Sequence, residues 1–180
     1  EVVLKAAGQL RDAGRHNVQF WIVGDGAERA ALEAQVTERN LSNVLFTGMV
    51  AKDQVDAVLA SCDACLVHLR GTELFGTVIP SKVFETMAMN VPIIMGVRGQ
   101  AQDIVMAGGG GVAMTPDDPA SLIEGINTIA ANPERFRHGR GHVTQNFDRG
   151  VLASRMLTAL EAIAAGRQPK DVPDEERKAA

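Results

Sequence analysis

The stretch Val18–Gly26, VQFWIVGDG, decides the fold: a short, mostly apolar run stops abruptly at a Gly-Asp-Gly turn. A run this brief, closed by turn residues, reads as a buried strand and not as a helix. Outward on both sides the period changes to a helical one, over Val2–Ala13, which stops at the cap-type residue Gly14, and over Ala27–Arg39. The alternation then repeats along the chain. Strands are predicted at Val44–Thr47 (closed by Gly48), Ala64–Leu69, Pro92–Met95 and Gly111–Met114, with helices at Asp53–Ala60, Pro80–Met89 and Ala101–Ala107. Asp117-Asp118-Pro119 opens a further helix with proline in its first turn, where a missing N–H costs nothing. Repeated βα units specify an α/β fold with a doubly wound parallel sheet. The absence of Tyr, a single Trp and six Phe fit an interior of small aliphatic side chains between sheet and helices. Strand signals cease at Pro133. Two helical stretches, Pro133–Gln145 and Val151–Ala165, are expected to pack on a binding domain of residues 1–132, and residues 166–180, GRQPKDVPDEERKAA, are expected to form a mobile tail.

Composition removes several classes of function. At a net charge of -4 with scattered Lys and Arg, the chain has no basic face for nucleic acid. No apolar run of about 18 residues marks a membrane span. Cys62 and Cys65 are spaced as C-x-x-C, but no second pair or matching His cluster completes a tetrahedral metal site, so they read as small apolar residues beside a strand. His138 and His142 stand four apart on a helix without a third ligand. His68 falls in a strand, as a core residue or facing a cleft, and Asp25 reads as a turn former.

Ligands of an open parallel sheet bind beyond the carboxyl ends of its strands, where loops and helix N-termini converge. Three loops qualify: Gly24–Gly26, Gly48–Val50, and the long segment RGTELFGTVIPSKVFE from Arg70 to Glu85. The last enters a helix at Pro80, so the amides of Ser81, Lys82 and Val83 are expected to point outward at the positive end of the helix dipole, suited to a phosphate. Lys82 adds a point charge there, and Arg70, at the strand end, has the bidentate geometry for a diphosphate. Glu85 either complements the dipole or, set behind a bound phosphate, accepts the two hydroxyls of a ribose.

VGDGAER (23–29), VLFTGMV (44–50) and ELFGTVIPSKVFETMAMNVPII (73–94), in that order, resemble the C-terminal domain of retaining GT-B glycosyltransferases of the sucrose-synthase-like group. The form TVIPSKVFETMAMNVPII is similar to that of bacterial surface-polysaccharide enzymes transferring fucosamine-type or fucose sugars. The resemblance implies a Rossmann-like domain, one half of a GT-B fold, that binds a nucleotide-sugar donor, a UDP- or GDP-sugar, without a metal. It implies that Glu85 is the second acid of an E-x7-E motif and binds the ribose, while Met49 and Val50 lie along the base. The first acid should stand at position 77, where this sequence has Thr77. Either Glu73, four residues upstream, returns to the sugar through an inserted loop, or Thr77 makes a neutral contact.

The resemblance further implies that a strand, a glycine-rich loop and an acceptor domain lie outside this sequence. On that reading the chain alone does not complete the reaction, and the absent strand belongs at the sheet centre, between Val18–Val23 and Ala64–Leu69. The expected acceptor is a glycan or lipid-linked sugar, and the expected location cytoplasmic, with any membrane contact made by the absent half. A nucleotide-sugar epimerase of the same architecture, or a non-catalytic doubly wound module, are the alternatives.

Overall fold

The computed structural model describes residues 1–167; residues 168–180, most of the expected mobile tail, lie outside the described residues. The order is helix α1 (Val2–Asp12), strand β1 (Phe20–Val23), α2 (Arg29–Glu38), β2 (Val44–Gly48), a 3-10 turn (Lys52–Gln54) leading into α3 (Val55–Ala60), β3 (Cys65–His68), a second 3-10 turn (Leu74–Thr77), α4 (Lys82–Ala88), β4 (Ile93–Gly96), α5 (Gln100–Ala107), β5 (Gly111–Ala113) and α6 (Pro119–Ala131). The expected strands are present with their ends moved by one or two residues. α6 starts where Asp118 accepts a hydrogen bond from the Ala120 amide, with proline at the head of the helix.

Beyond α6 the expected single helix from Pro133 to Gln145 is two elements, a 3-10 turn (Pro133–Phe136) and α7 (Gly139–Phe147). Arg137 and His138 leave helical geometry between them. Packing accounts for the break: a Cβ on Gly139 would stand 2.9 Å from that of Met87, so the chain must turn to lay its glycine on α4. The last helix, α8 (Arg149–Ala164), begins two residues earlier than its periodicity suggests, because Asp148 caps it by accepting from the amides of Gly150 and Val151.

Every strand pairing is parallel, as βα units require. The described strands divide at the place where the absent strand is expected: β1 pairs with β2, and β3, β4 and β5 form a second sheet in that order. β4 is buried on both faces. Ile94 packs with Val2 and Ala6 of α1 and Leu122 and Ile129 of α6. Ile93 and Met95 pack on the opposite side with Val83 and Met87 of α4 and Ile104 and Val105 of α5. Behind α4, Phe147 of α7 meets Phe84 at a centroid distance of 5.0 Å. Burial of each such large side chain stabilises the fold by about 1.5–3 kcal/mol.

α1 joins the two sheets. Its Leu4 and Ala7 pack with Leu41 and, in the first sheet, Phe20 and Val44, while Val2 and Ala6 face the second. The reverse face of β1–β2 carries Trp21, Val23 and Leu45, each 42% exposed or more, so that sheet is covered on one side only. β1 and β3 are not paired. A cleft of about 770 Å³ is lined by the first turn of α1, by Glu28 and Leu32 at α2 and by His68, Leu69 and Arg70 at the end of β3. The doubly wound order expects this separation of β1 from β3. No helix among the described residues is long and apolar enough to cross a membrane.

Candidate functional site

β3 and β4 end side by side, with His68 in register with Gly96. Their outgoing loops frame a crevice of about 180 Å³, whose walls include Arg70, Glu73, Phe75, Val97, Arg98 and Pro116. The loop after β3 is long and polar, yet it is held at two points. At its start the Gly71 amide donates to Asp117 Oδ2 at 2.8 Å. In its middle, Gly76 presses its carbonyl against Gly99, where a Cβ would lie only 2.4 Å from that oxygen. Between these points residues 74–77 wind into a 3-10 turn, with the Gly76 amide donating to the carbonyls of Thr72 and Glu73.

A second polar pair sits at the foot of the loop. His68 Nε2 accepts from the Asp117 amide at 3.1 Å and lies 3.1 Å from Asp117 Oδ1. An acceptor nitrogen and an ion pair exclude one another, since the first needs a bare Nε2 and the second a protonated one. Burial holds the His68 pKa below the ordinary histidine value, with Asp117 opposing, so the neutral ring that accepts the amide is the form at neutral pH. The Asp117 carboxyl is held below the usual range, first by the Gly71 amide and then, against its own desolvation, by His68. Asp117 takes this position with φ +60, a left-handed conformation that Asp tolerates better than most residues.

The structure brings some of the sequence-predicted residues together and leaves others apart. Arg70 and Glu73 line the crevice. Arg70 approaches Glu28 only at 3.9 Å, and with both side chains about three-quarters exposed the pair contributes little. Thr77 does not line the crevice; its hydroxyl donates to the Leu74 carbonyl at 2.8 Å and so closes the 3-10 turn. Pro80 does not begin the helix as expected, because α4 starts at Lys82 with Ser81 as its cap. The Val83 amide is also not free, since it donates to the Pro80 carbonyl at 3.0 Å. Ser81, Lys82 and Glu85 are exposed along the opening of α4. Among the described residues the Glu85 carboxylate has no recorded ion pair or side-chain hydrogen bond, and the buried side chains of that helix are Val83, Thr86 and Met87. At the end of β2, Met49 is 76% exposed and so is no part of strand-end packing, and Val50 is half-buried. Asp25 accepts from the Gly26 amide at 2.8 Å, the turn-forming role expected of it. Cys62 and Cys65 are free, and burial, then Cys65 and Asp63, raises the Cys62 thiol pKa, which keeps it protonated and unreactive at neutral pH.

Three residues escaped the sequence reading. In the sequence Asp117 stands in the helix opening Asp117-Asp118-Pro119, yet Asp118 alone caps α6. Arg98 and Gly99 follow the fully buried β4, and the only signal for them was their place at the carboxyl end of a strand, the rule that had singled out the other loops.

The family described as glycosyl transferases group 1 matches residues 1–132. The 2-deoxystreptamine glucosyltransferase of Streptomyces kanamyceticus is 32% identical over 134 residues, which cover 67% of this chain and 33% of that protein. The O-antigen chain mannosyltransferase C of Escherichia coli is 28% identical over 153 residues, covering 83% of this chain and 40% of that protein. Among solved structures, Anabaena Alr3699/HepE in complex with UDP superposes with a TM-score of 0.74 at 22% identity, over 89% of this chain and 44% of that one. The chain thus spans less than half the length of each of these relatives.

Proposed function

The chain belongs to the glycosyl transferases group 1, and from that premise we propose that it is the donor-binding half of a retaining GT-B enzyme of the sucrose-synthase-like group, which transfers a hexose-type sugar, of the fucosamine or fucose kind, in bacterial surface polysaccharide synthesis. One observation carries the reading. The crevice at the ends of β3 and β4 holds Glu73 and Arg70 at the head of the same loop that delivers Ser81, Lys82 and Glu85 to the exposed opening of α4. A ligand with a sugar at one end and a ribose at the other fits that order.

In this reading the ribose hydroxyls donate to the Glu85 carboxylate, Met49 and Val50 lie along the base, and Glu73 accepts hydroxyls of the transferred sugar. Thr77, whose hydroxyl is engaged in its own turn, closes the loop and leaves the sugar to Glu73. The diphosphate lies between, near Arg70 and Lys82 and the amides of Ser81 and Lys82. As the glycosidic bond to the diphosphate breaks, negative charge grows on the leaving oxygen, and the nearby cations and amide dipoles stabilise it. An acceptor hydroxyl of a glycan or lipid-linked sugar, held by a portion of the enzyme outside this chain on the cytoplasmic side, attacks on the face the leaving group vacates and gives up its proton to the departing diphosphate. No metal is needed. HepE, solved with UDP and in a further structure with UDP-glucose, supports a nucleotide sugar as donor for this fold.

The test is equilibrium titration of the chain with UDP, GDP and ADP against a sugar 1-phosphate. Preference for one nucleoside diphosphate is expected. Binding of none of the three nucleotides would reject the donor-half reading.

A further inference from the structure

Arg98 stands in the crevice with Glu73 and with Arg70, the residue assigned to the diphosphate, whereas Glu85 and Met49, assigned to the ribose and the base, and Ser81 and Lys82 at the opening of α4 lie outside its walls. A donor whose diphosphate meets Arg70 while its ribose and base lie outside directs into the crevice the part beyond the diphosphate, the sugar. The position of Arg98 is set by its neighbours. Val97 is 2% exposed, and Gly99, at φ +77, rests against the Gly76 carbonyl. The exposed guanidinium is carried on backbone flanked by a buried residue on one side and a close backbone contact on the other.

Among the described residues no ion pair or hydrogen bond is recorded for Arg98, and Glu73, the carboxylate in the same crevice, does not approach it within salt-bridge distance. Arg70, the other cation in the crevice, meets Glu28 only at 3.9 Å and is the one assigned to the diphosphate. That leaves the sugar one acceptor, Glu73, and one further planar cation, the exposed Arg98. Neutral hydroxyls satisfy Glu73, but they leave a guanidinium without its preferred partner, a carboxylate held by two parallel N–H bonds.

We propose that Arg98 selects the donor's sugar, and that the transferred sugar is an acidic one of the hexuronate class, whose ring hydroxyls meet Glu73 and whose carboxylate pairs with Arg98. This rests on the donor-half reading and narrows its sugar; the fucosamine- or fucose-type assignment made above gives way if it holds.

The experiment titrates the chain, Arg98→Ala and Arg98→Lys with UDP, UDP-glucose and UDP-glucuronate, and in parallel with GDP, GDP-mannose and GDP-mannuronate. The unsubstituted chain is expected to bind the acidic sugar nucleotide about tenfold more tightly than its neutral counterpart, the scale of one hydrogen-bonded charge pair. Arg98→Ala should abolish that preference while the affinity for the bare nucleoside diphosphate stays constant, and Arg98→Lys should restore only part of it. Equal or better binding of the neutral sugar nucleotide overturns the proposal. So does an Arg98→Ala variant that loses bare diphosphate affinity to the same extent, because the cation then serves the phosphates. If neither UDP nor GDP binds at all, the donor-half reading fails and takes this inference with it; the other two outcomes leave that reading intact.

Discussion

Replacing Gly99 with alanine tests whether the crevice is held by the contact between two loops. Gly99 has φ +77 and ψ -149, a region open to essentially no residue but glycine, where a side chain costs on the order of 1–3 kcal/mol. The added Cβ would also stand 2.4 Å from the Gly76 carbonyl oxygen, and real Cβ atoms essentially never come within 3.0 Å, so one loop must retreat by at least 0.6 Å. The oxygen is backbone, so no rotamer relieves the contact. We expect a loss of roughly 2–3 kcal/mol, which at about 2–4 °C per kcal/mol for a chain of this size lowers Tm by about 4–12 °C. Gly14→Ala is the control, since Gly14 also has positive φ (+70) but nothing within 4 Å of its Cβ, so it reports the backbone cost alone. Thermal unfolding by circular dichroism, paired with titration of a nucleoside diphosphate and of the matching sugar nucleotide, separates the two effects. The Gly99 variant should lose more stability than the control and bind the sugar nucleotide more weakly, with the bare diphosphate less affected. If it is no less stable than Gly14→Ala and binds the sugar nucleotide normally, the Gly76–Gly99 contact does not shape the crevice.

Glu85→Ala is expected to weaken nucleoside-diphosphate binding by about 1–3 kcal/mol in calorimetry with Tm nearly unchanged, because the carboxylate has no recorded partner in the free chain; unchanged affinity removes its ribose role. In a longer polypeptide that carries out the transfer, Glu73→Gln should lower turnover more than diphosphate affinity, whereas Thr77→Val should act through the 3-10 turn, lowering loop stability by about 1 kcal/mol. The reverse ranking of the two variants in turnover would return the sugar contact to Thr77. His68 has a folded pKa below its unfolded value, so the unfolded chain binds the extra proton first, and stability is full above about pH 6.5 and falls as pH drops from there toward the folded pKa. Denaturant titrations from pH 8 to pH 5 should show this decline, and His68→Gln should flatten it; an identical decline in the variant assigns it to other groups.

Much of the fold was legible along the chain because it is local. Short apolar runs closed by glycine, helical runs between them and the Asp118-Pro119 opening of α6 each depend on residues within a turn or two of one another, and the structure reproduces them to within a residue or two apart from the helix broken ahead of Gly139. The loop from Arg70 to Glu85 could be singled out the same way, since its length, its polarity and its place after a strand are all properties of consecutive residues. What consecutive residues do not encode is which distant segments press together. The Pro133–Gln145 stretch kept a helical period, but the close approach of Gly139 to Met87 broke it in two. The division into β1–β2 and β3–β4–β5 is the separation that the doubly wound order expects, but that α1 lies across both sheets and packs on each is decided by tertiary contacts. His68 and Asp117, 49 residues apart, look like a core histidine and a helix opening until β3 and β5 pair with the two edges of β4 and the loop after β5 reaches the end of β3. Arg98 is an ordinary surface arginine by its neighbours in sequence. It faces a sugar-sized crevice only because parallel pairing sets the end of β4 beside that of β3 and because Gly76 lies on Gly99, contacts fixed by packing between segments that the chain separates.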